Sequence, residues 1–254
     1  MSLHVESCGE GLPLLLIHGW GMHGGIWGRI VERLAQCRRV LCVDLPGHGA
    51  SAPVDEFTLD GLVQALSDRF DEPLAVCGWS LGGQVAMRWA ALHPQQVSKL
   101  ILLATTPRFV KCTDWPHALA AQTLQEFAAA LLEDHAQTLK RFFALQVRGS
   151  MDERALLASL RAQMLSRGEP DLAALRGGLE VLRGTDLRAT LPRLRQPTLV
   201  LAGERDMLTP AAASAYMAQA LPDARLMCVA GAAHAPFLSH PDMVVERMVG
   251  FLDE

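Results

Sequence analysis

The stretch LAVCGWSLGGQVAMRWAAL, Leu74 to Leu92, sets a serine between glycines where an apolar run gives way to helical spacing. A strand that reverses sharply into a helix brings two backbones close together. Glycine at positions 78 and 82 removes the Cβ atoms that would clash there. Ser80, at the apex, is then held in a strained turn with its hydroxyl above the sheet. It faces the free N–H groups and positive dipole end of the helix. This is the G-x-S-x-G nucleophile elbow, and its place between a buried strand and a helix is what gives the short pattern weight. The competing reading is a serine that only caps a helix.

A serine hydroxyl needs a base, and the base needs an acid to orient it. With this elbow the chain order is Ser, acid, His. Five histidines follow Ser80: His93, His117, His135, His234 and His240. His234 lies in VAGAAHAPFLSHP, after the last strand and before the last helix, among small residues that let a loop bring the imidazole to the sheet edge. His240, before Pro241, reads as a cap or surface residue. For the acid, LVLAGERDMLTP offers Asp206 just past a strand end, with Glu204 as its rival. The oxyanion needs N–H donors. These are expected from Leu81, the residue after the nucleophile, and from Trp20 in LLLIHGWGMHGGIW. The Trp20 ring would either wall an acyl pocket or pack beneath another segment. His18 and His48 precede Ser80 in Gly-rich loops and are read as structural hydrogen-bonding groups.

These residues must be positioned by a sheet. Strands are expected at Leu12–His18, Arg38–Asp44, Leu74–Trp79, Val97–Ala104, Pro197–Gly203 and Ala224–Ala230. Most are apolar on both faces, as in a parallel sheet covered by helices. Helices are expected at Gly25–Gln36, Leu59–Phe70, Leu81–His93, Ala211–Ala220 and Met243–Leu252. The alternation predicts an α/β fold with a mostly parallel central sheet and helices on both faces. From about Pro107 to Leu191 no strand is evident. The expected division is therefore a core (1–106 and 192–254) with a helical cap inserted at 107–191. Loops are expected at Gly149-Ser150, Gly168-Glu169-Pro170 and Gly177-Gly178.

With 254 residues, half of them hydrophobic and a net charge of −4, the chain can bury a large core. Nothing global points to nucleic acid or an anionic membrane. The N-terminus has no basic segment leading a long apolar run, so the expectation is a cytoplasmic protein. The six cysteines are scattered without paired spacing and are read as reduced, buried thiols. No metal cluster or dinucleotide fingerprint is evident, so neither a metal nor a cofactor is expected.

HGWG (18–21), DLPGHGAS (44–51), GWSLGG (78–83), GERDMLTP (203–210) and AAHAPFLSHP (232–241), in that order, resemble the α/β-hydrolase fold family across essentially the whole chain. That fold hosts many reactions. HGWGMHGGIW, GWSLGGQVA, CTDWP, RFFALQVRG, GGLEVLRGTDLR and HAPFLSHP resemble more narrowly the pimeloyl-[acyl-carrier protein] methyl ester carboxylesterases of biotin synthesis. This resemblance extends into the insertion. It implies that Ser80, Asp206 and His234 are the triad and that Trp20 and Leu81 are the oxyanion and substrate contacts. It also implies that Phe142, Phe143, Ala144, Leu145 and Gln146 line the substrate channel. Arg141, Arg154 and Arg161 match positions that hold phosphopantetheine and the acidic carrier protein, whereas Gln137 and Ala158 depart from basic positions of that family.

Charge gives separate support for the docking face. Residues 137–195 carry eleven Lys and Arg against six Asp and Glu, while the remainder carries twelve against twenty-one. Arg154 and Arg161, seven apart, share one helical face. A basic cap on an acidic body would steer an acidic carrier towards the pocket, although arginines on a solvated helix also serve solubility. The partners that the resemblance implies are a carrier protein bearing the pimeloyl methyl ester, and small esters. The rival activities are a general short-chain carboxylesterase or a carbon–carbon-bond hydrolase with the same triad. A non-catalytic ligand-binding protein of this fold is the rival from another class.

Overall fold

The apolar runs become the strands of one sheet. The computed structural model describes residues 2–254. Among them are seven strands: β1 (Val5–Cys8), β2 (Pro13–Ile17), β3 (Arg39–Val43), β4 (Leu74–Trp79), β5 (Val97–Leu103), β6 (Thr198–Gly203) and β7 (Ala224–Val229). Their spatial order is β1-β3-β2-β4-β5-β6-β7. Every neighbouring pair is parallel except β1 with β3. The core helices are α1 (Gly28–Leu34), α2 (Leu59–Arg69), α3 (Leu81–Leu92), α8 (Ala211–Ala220), α9 (Pro236–Ser239) and α10 (Pro241–Leu252). Packing of α1 with α10, and of α2 with α3, forms the helical layers that sandwich the sheet. The central strand β4 is buried along its whole length, which explains its lack of alternation.

Between β5 and β6 the chain leaves the sheet. It forms α4 (Ala121–Glu133), α5 (His135–Val147), α6 (Glu153–Leu165) and α7 (Leu172–Gly184). Asp134 and Asp171 cap α5 and α7 by accepting the N–H groups of Gln137 and Ala174. Both caps follow breaks in the helical pattern.

Several expectations change. The first strand, β1, escapes sequence reading because it is four residues long, mostly exposed and polar. It is the antiparallel edge strand, where apolar patterning is weakest. The expected loop at Gly177-Gly178 lies inside α7. A Cβ at Gly178 would stand 2.5 Å from Trp20 Cδ1, and one at Gly177 would collide with Phe57, so these glycines permit close helix packing. The expected helix Gly25–Gln36 splits into a 3₁₀ turn, Gly24–Trp27, and α1. The last helix starts two residues early, at Pro241. Of the six free cysteines only Cys42 and Cys77 are buried, whereas Cys8, Cys37 and Cys228 are exposed. Cys8 and Cys228 lie on the two edge strands of the sheet.

Candidate active site

Ser80 follows β4 and precedes α3. Its φ of 56° and ψ of −118° are outside the regions open to most side chains. Such a conformation costs on the order of 1–3 kcal/mol and persists only where its surroundings over-determine it. Here the Ser80 N–H donates to the Leu103 carbonyl at 3.1 Å. Its own carbonyl accepts from Thr105 Oγ1 at 2.6 Å and from the Gly83 N–H at 3.0 Å. A Cβ on Gly78 would run into the Gly82 carbonyl, and one on Gly82 into the Ile17 carbonyl. The glycines therefore have the close-approach role expected of them.

His234 Nε2 lies 2.9 Å from Ser80 Oγ, and its Nδ1 lies 2.8 Å from Asp206 Oδ2. All three residues are buried. The Asp206 carboxylate also accepts the Leu208 and Thr209 N–H groups at 2.8 and 2.9 Å, and the Thr209 hydroxyl at 2.7 Å. These bonds fix the carboxylate so that Oδ2 faces imidazole Nδ1. Glu204, the rival acid, instead accepts the Gly231 N–H on the surface. His240 opens α10 and pairs with the Ser239 hydroxyl, away from this relay.

The Gly19-Trp20 loop lies against the elbow, since a Cβ on Gly19 would stand 3.2 Å from both Ser80 Cβ and the Trp79 ring. Leu81 is the first residue of α3, so its N–H has no intrahelical partner. His18 and His48 are structural, as expected. His18 Nδ1 donates to the Gly19 carbonyl at 2.8 Å while Nε2 accepts the Leu45 N–H at 2.9 Å. His48 Nδ1 donates to the Pro46 carbonyl. Burial lowers His18 to about 3 and His48 to about 4, so both rings are neutral.

Trp20 is buried beneath the insertion. Its indole N–H donates to the Leu175 carbonyl at 2.8 Å, and Phe127 and Phe142 meet its ring edge-on. Phe127 and Phe142 also line an apolar cavity of about 40 Å³, with Phe109, Leu145, Leu179 and Leu208 in its wall and none of Trp20, Ser80, Asp206 or His234. Phe142, Leu145 and Gln146 share one face of α5 at i, i+3 and i+4. Phe142 and Leu145 line the cavity, whereas the Gln146 carbonyl accepts the His234 N–H at 3.0 Å. Phe143 is buried and Ala144 half-buried on other sides of α5, off that lining. Arg141 on α5 and Arg154 and Arg161 on α6 are all exposed. Larger surface clefts, such as one of about 560 Å³ beside β1 and Arg167, include none of the Ser80, Asp206 and His234 group.

Sequence reading missed Thr209, Thr105 and Trp79. For Thr209 a signal existed: an aspartate that accepts the N–H groups two and three residues on makes an Asx turn, which places a following threonine beside the carboxylate. Thr105 and Trp79 act through contacts that no local pattern marks.

The fold and this constellation define a class, and comparison with known proteins agrees. The chain belongs to the α/β-hydrolase fold family, whose model, described as alpha/beta hydrolase fold, matches residues 13–241. The esterase from Exiguobacterium antarcticum superposes with a TM-score of 0.91 at 22% identity, covering 99% of this chain and 96% of that one. More particularly, the chain is 46% identical to the pimeloyl-[acyl-carrier protein] methyl ester esterase of Nitrosomonas europaea, over 96% of this chain and 97% of that protein. It is 42% identical to the protein of the same name from Chromobacterium violaceum, over 100% of this chain and 99% of the relative. Among the described residues no helix is long and apolar enough to cross a membrane.

Proposed function

We propose that this chain is a serine carboxylesterase that hydrolyses the methyl ester of pimeloyl-[acyl-carrier protein], releasing methanol and the free carboxylate for biotin synthesis. The observation that carries the chemistry is the unbroken relay Ser80 Oγ–His234–Asp206, with links of 2.9 and 2.8 Å. The names of relatives similar over nearly their full length support the substrate.

Ser80 Oγ attacks the ester carbonyl as His234 Nε2 takes its proton, and Asp206 stabilises the resulting imidazolium. The carbonyl oxygen becomes an oxyanion facing the N–H groups of Leu81 and Trp20. Collapse of this intermediate breaks the bond to the methoxy group, and His234 returns the proton to the departing methanol. Water then attacks the acyl-enzyme with His234 as base. A second collapse frees the carboxylic acid and restores the serine.

The helical insertion serves as the cap. Phe142, which meets the Trp20 ring, and Leu145 offer the methylene chain an apolar wall. The exposed Arg141, Arg154 and Arg161 suit an acidic carrier, and their place on α5 and α6 sets them on the helices that touch His234 and the core. The test compares kcat/KM on pimeloyl-carrier methyl ester with that on p-nitrophenyl esters of increasing length. A dedicated enzyme prefers the carrier-linked ester. A preference for the shortest p-nitrophenyl esters, with poor turnover of the carrier-linked one, overturns the substrate assignment in favour of a general esterase.

A further inference from the structure

His234 reaches Ser80 from the loop between β7 and α9, where the Ala232 and Ala235 carbonyls accept the Arg205 and Leu238 N–H groups at 2.8 and 3.0 Å. Its neighbours Ala232, Ala233 and Ala235 are buried, but their methyl groups make no hydrogen bonds. A base within proton-transfer reach of a nucleophile must be held to a fraction of an ångström. Asp206 Oδ2 orients the imidazole through Nδ1, and two bonds fix the His234 backbone. Its N–H donates to the Gln146 carbonyl of α5, and its carbonyl accepts the Trp79 indole N–H at 2.8 Å.

We infer that Trp79 is a positioning residue for the reaction, pinning His234 to the nucleophile elbow. The inference rests on the triad reading above. Trp79 is fully buried and is the residue before Ser80, so its backbone moves with the nucleophile. Its ring lies beside the His234 imidazole, with centroids 5.7 Å apart. On another side it packs edge-on against Phe237 of α9, three residues beyond His234, at 5.0 Å. It also borders Gly19, in the loop expected to supply an oxyanion donor. One rigid indole thus touches both flanks of the base and the oxyanion loop, while being chained to Ser80. Phenylalanine would keep much of the packing but lose the donor, leaving the loop carbonyl unpaired and the imidazole free to drift from Ser80 Oγ.

Trp27 supplies a matched control. It packs in the same aromatic cluster, 4.5 Å from Phe237 and 6.3 Å from Trp79, but its indole N–H has no partner among the described residues. Trp79→Phe and Trp27→Phe therefore remove similar volume, and only the first removes a hydrogen bond to His234. The experiment measures kcat and KM on p-nitrophenyl butyrate, the rate of Ser80 labelling by a fluorophosphonate, and Tm, for the full chain and both variants. Trp79→Phe is expected to lower kcat roughly tenfold to a hundredfold, with a matching loss of labelling rate and KM within about twofold. Trp27→Phe is expected to keep both rates within about twofold of the parent, whatever its Tm. Parental rates in Trp79→Phe, or equal losses in both variants, overturn the inference. Should Trp79→Phe fold poorly, benzothienylalanine at position 79 replaces the N–H with sulfur at nearly constant volume and must show the same kcat loss. Ser80→Ala keeps the two readings apart. If it remains active, the triad reading falls; if it is inactive while Trp79→Phe is unimpaired, only the role of Trp79 falls.

Discussion

The sheet and the helical insertion hold the site by different means. On the sheet side, backbone sterics dominate. Gly78 and Gly82 leave no room for a Cβ, and Ser80 is locked at positive φ by bonds from its own N–H and carbonyl. On the insertion side, apolar packing and a few polar links dominate. The Gln146 carbonyl receives the His234 N–H, and the Leu175 carbonyl receives the Trp20 indole. Arg167, just past α6, pairs with the buried Asp44 at 3.1 Å and with Glu6. His23 Nε2 also donates to the Gln163 carbonyl. The contrast teaches a division of labour. The elbow is set where the backbone has no freedom, and the insertion adds apolar packing and a carbonyl that steadies the His234 loop.

The largest expected effect lies on the sheet side. Ser80→Ala should lower kcat by on the order of 10⁶, by analogy with other triads, with Tm nearly unchanged. Retained turnover in a folded variant would show that the rigid elbow is not where the reaction happens. Next is the link between the regions. Arg167→Met leaves the Asp44 carboxylate buried without its cation and should destabilise by about 3 kcal/mol, read by urea unfolding. An unchanged midpoint would mean that this ion pair adds nothing to how the insertion is held.

Acid should weaken the sheet side first. His18 and His48 titrate near 6.5 when unfolded but are lowered to about 3 and about 4 in the fold. Between pH 6.5 and those values the unfolded chain binds more protons, so stability falls as pH falls, by up to about 1.4 kcal/mol per pH unit for each histidine. His48→Gln should flatten that slope in urea titrations between pH 6.5 and 4, and an identical slope would assign the acid sensitivity elsewhere. The smallest effect belongs to the exposed face. Arg154→Glu with Arg161→Glu should raise KM for the carrier-linked ester by roughly tenfold at low salt and leave p-nitrophenyl esters unaffected. Equal changes in both substrates would make these arginines part of the fold rather than of docking.

How much was legible followed from how local each cause is. The elbow, the His234 loop and the turn that carries Asp206 after β6 could be read because each is a short pattern beside an apolar run. The strand β1 could not, because a four-residue polar edge carries no such pattern. The glycine pair at 177–178 misled because glycine marks both a turn and a close approach, and only the arrival of Trp20 and Phe57 decides between them. Cys228 misled because a residue of an edge strand can lie in an apolar run and still face solvent.

By itself the sequence determined the alternation of the six parallel strands with the longer core helices, the elbow and the three residue types the proposed chemistry needs, since these depend on side-chain chemistry and on neighbours a few positions away. Tertiary structure alone decided that Trp79 would hold the carbonyl of a histidine 155 positions later, that the Asp206 carboxylate would meet that same ring, and that Arg167 would reach Asp44. Those pairings come from the sheet's crossovers and the packing of the insertion, which bring together groups whose separation along the chain carries no signal of their meeting.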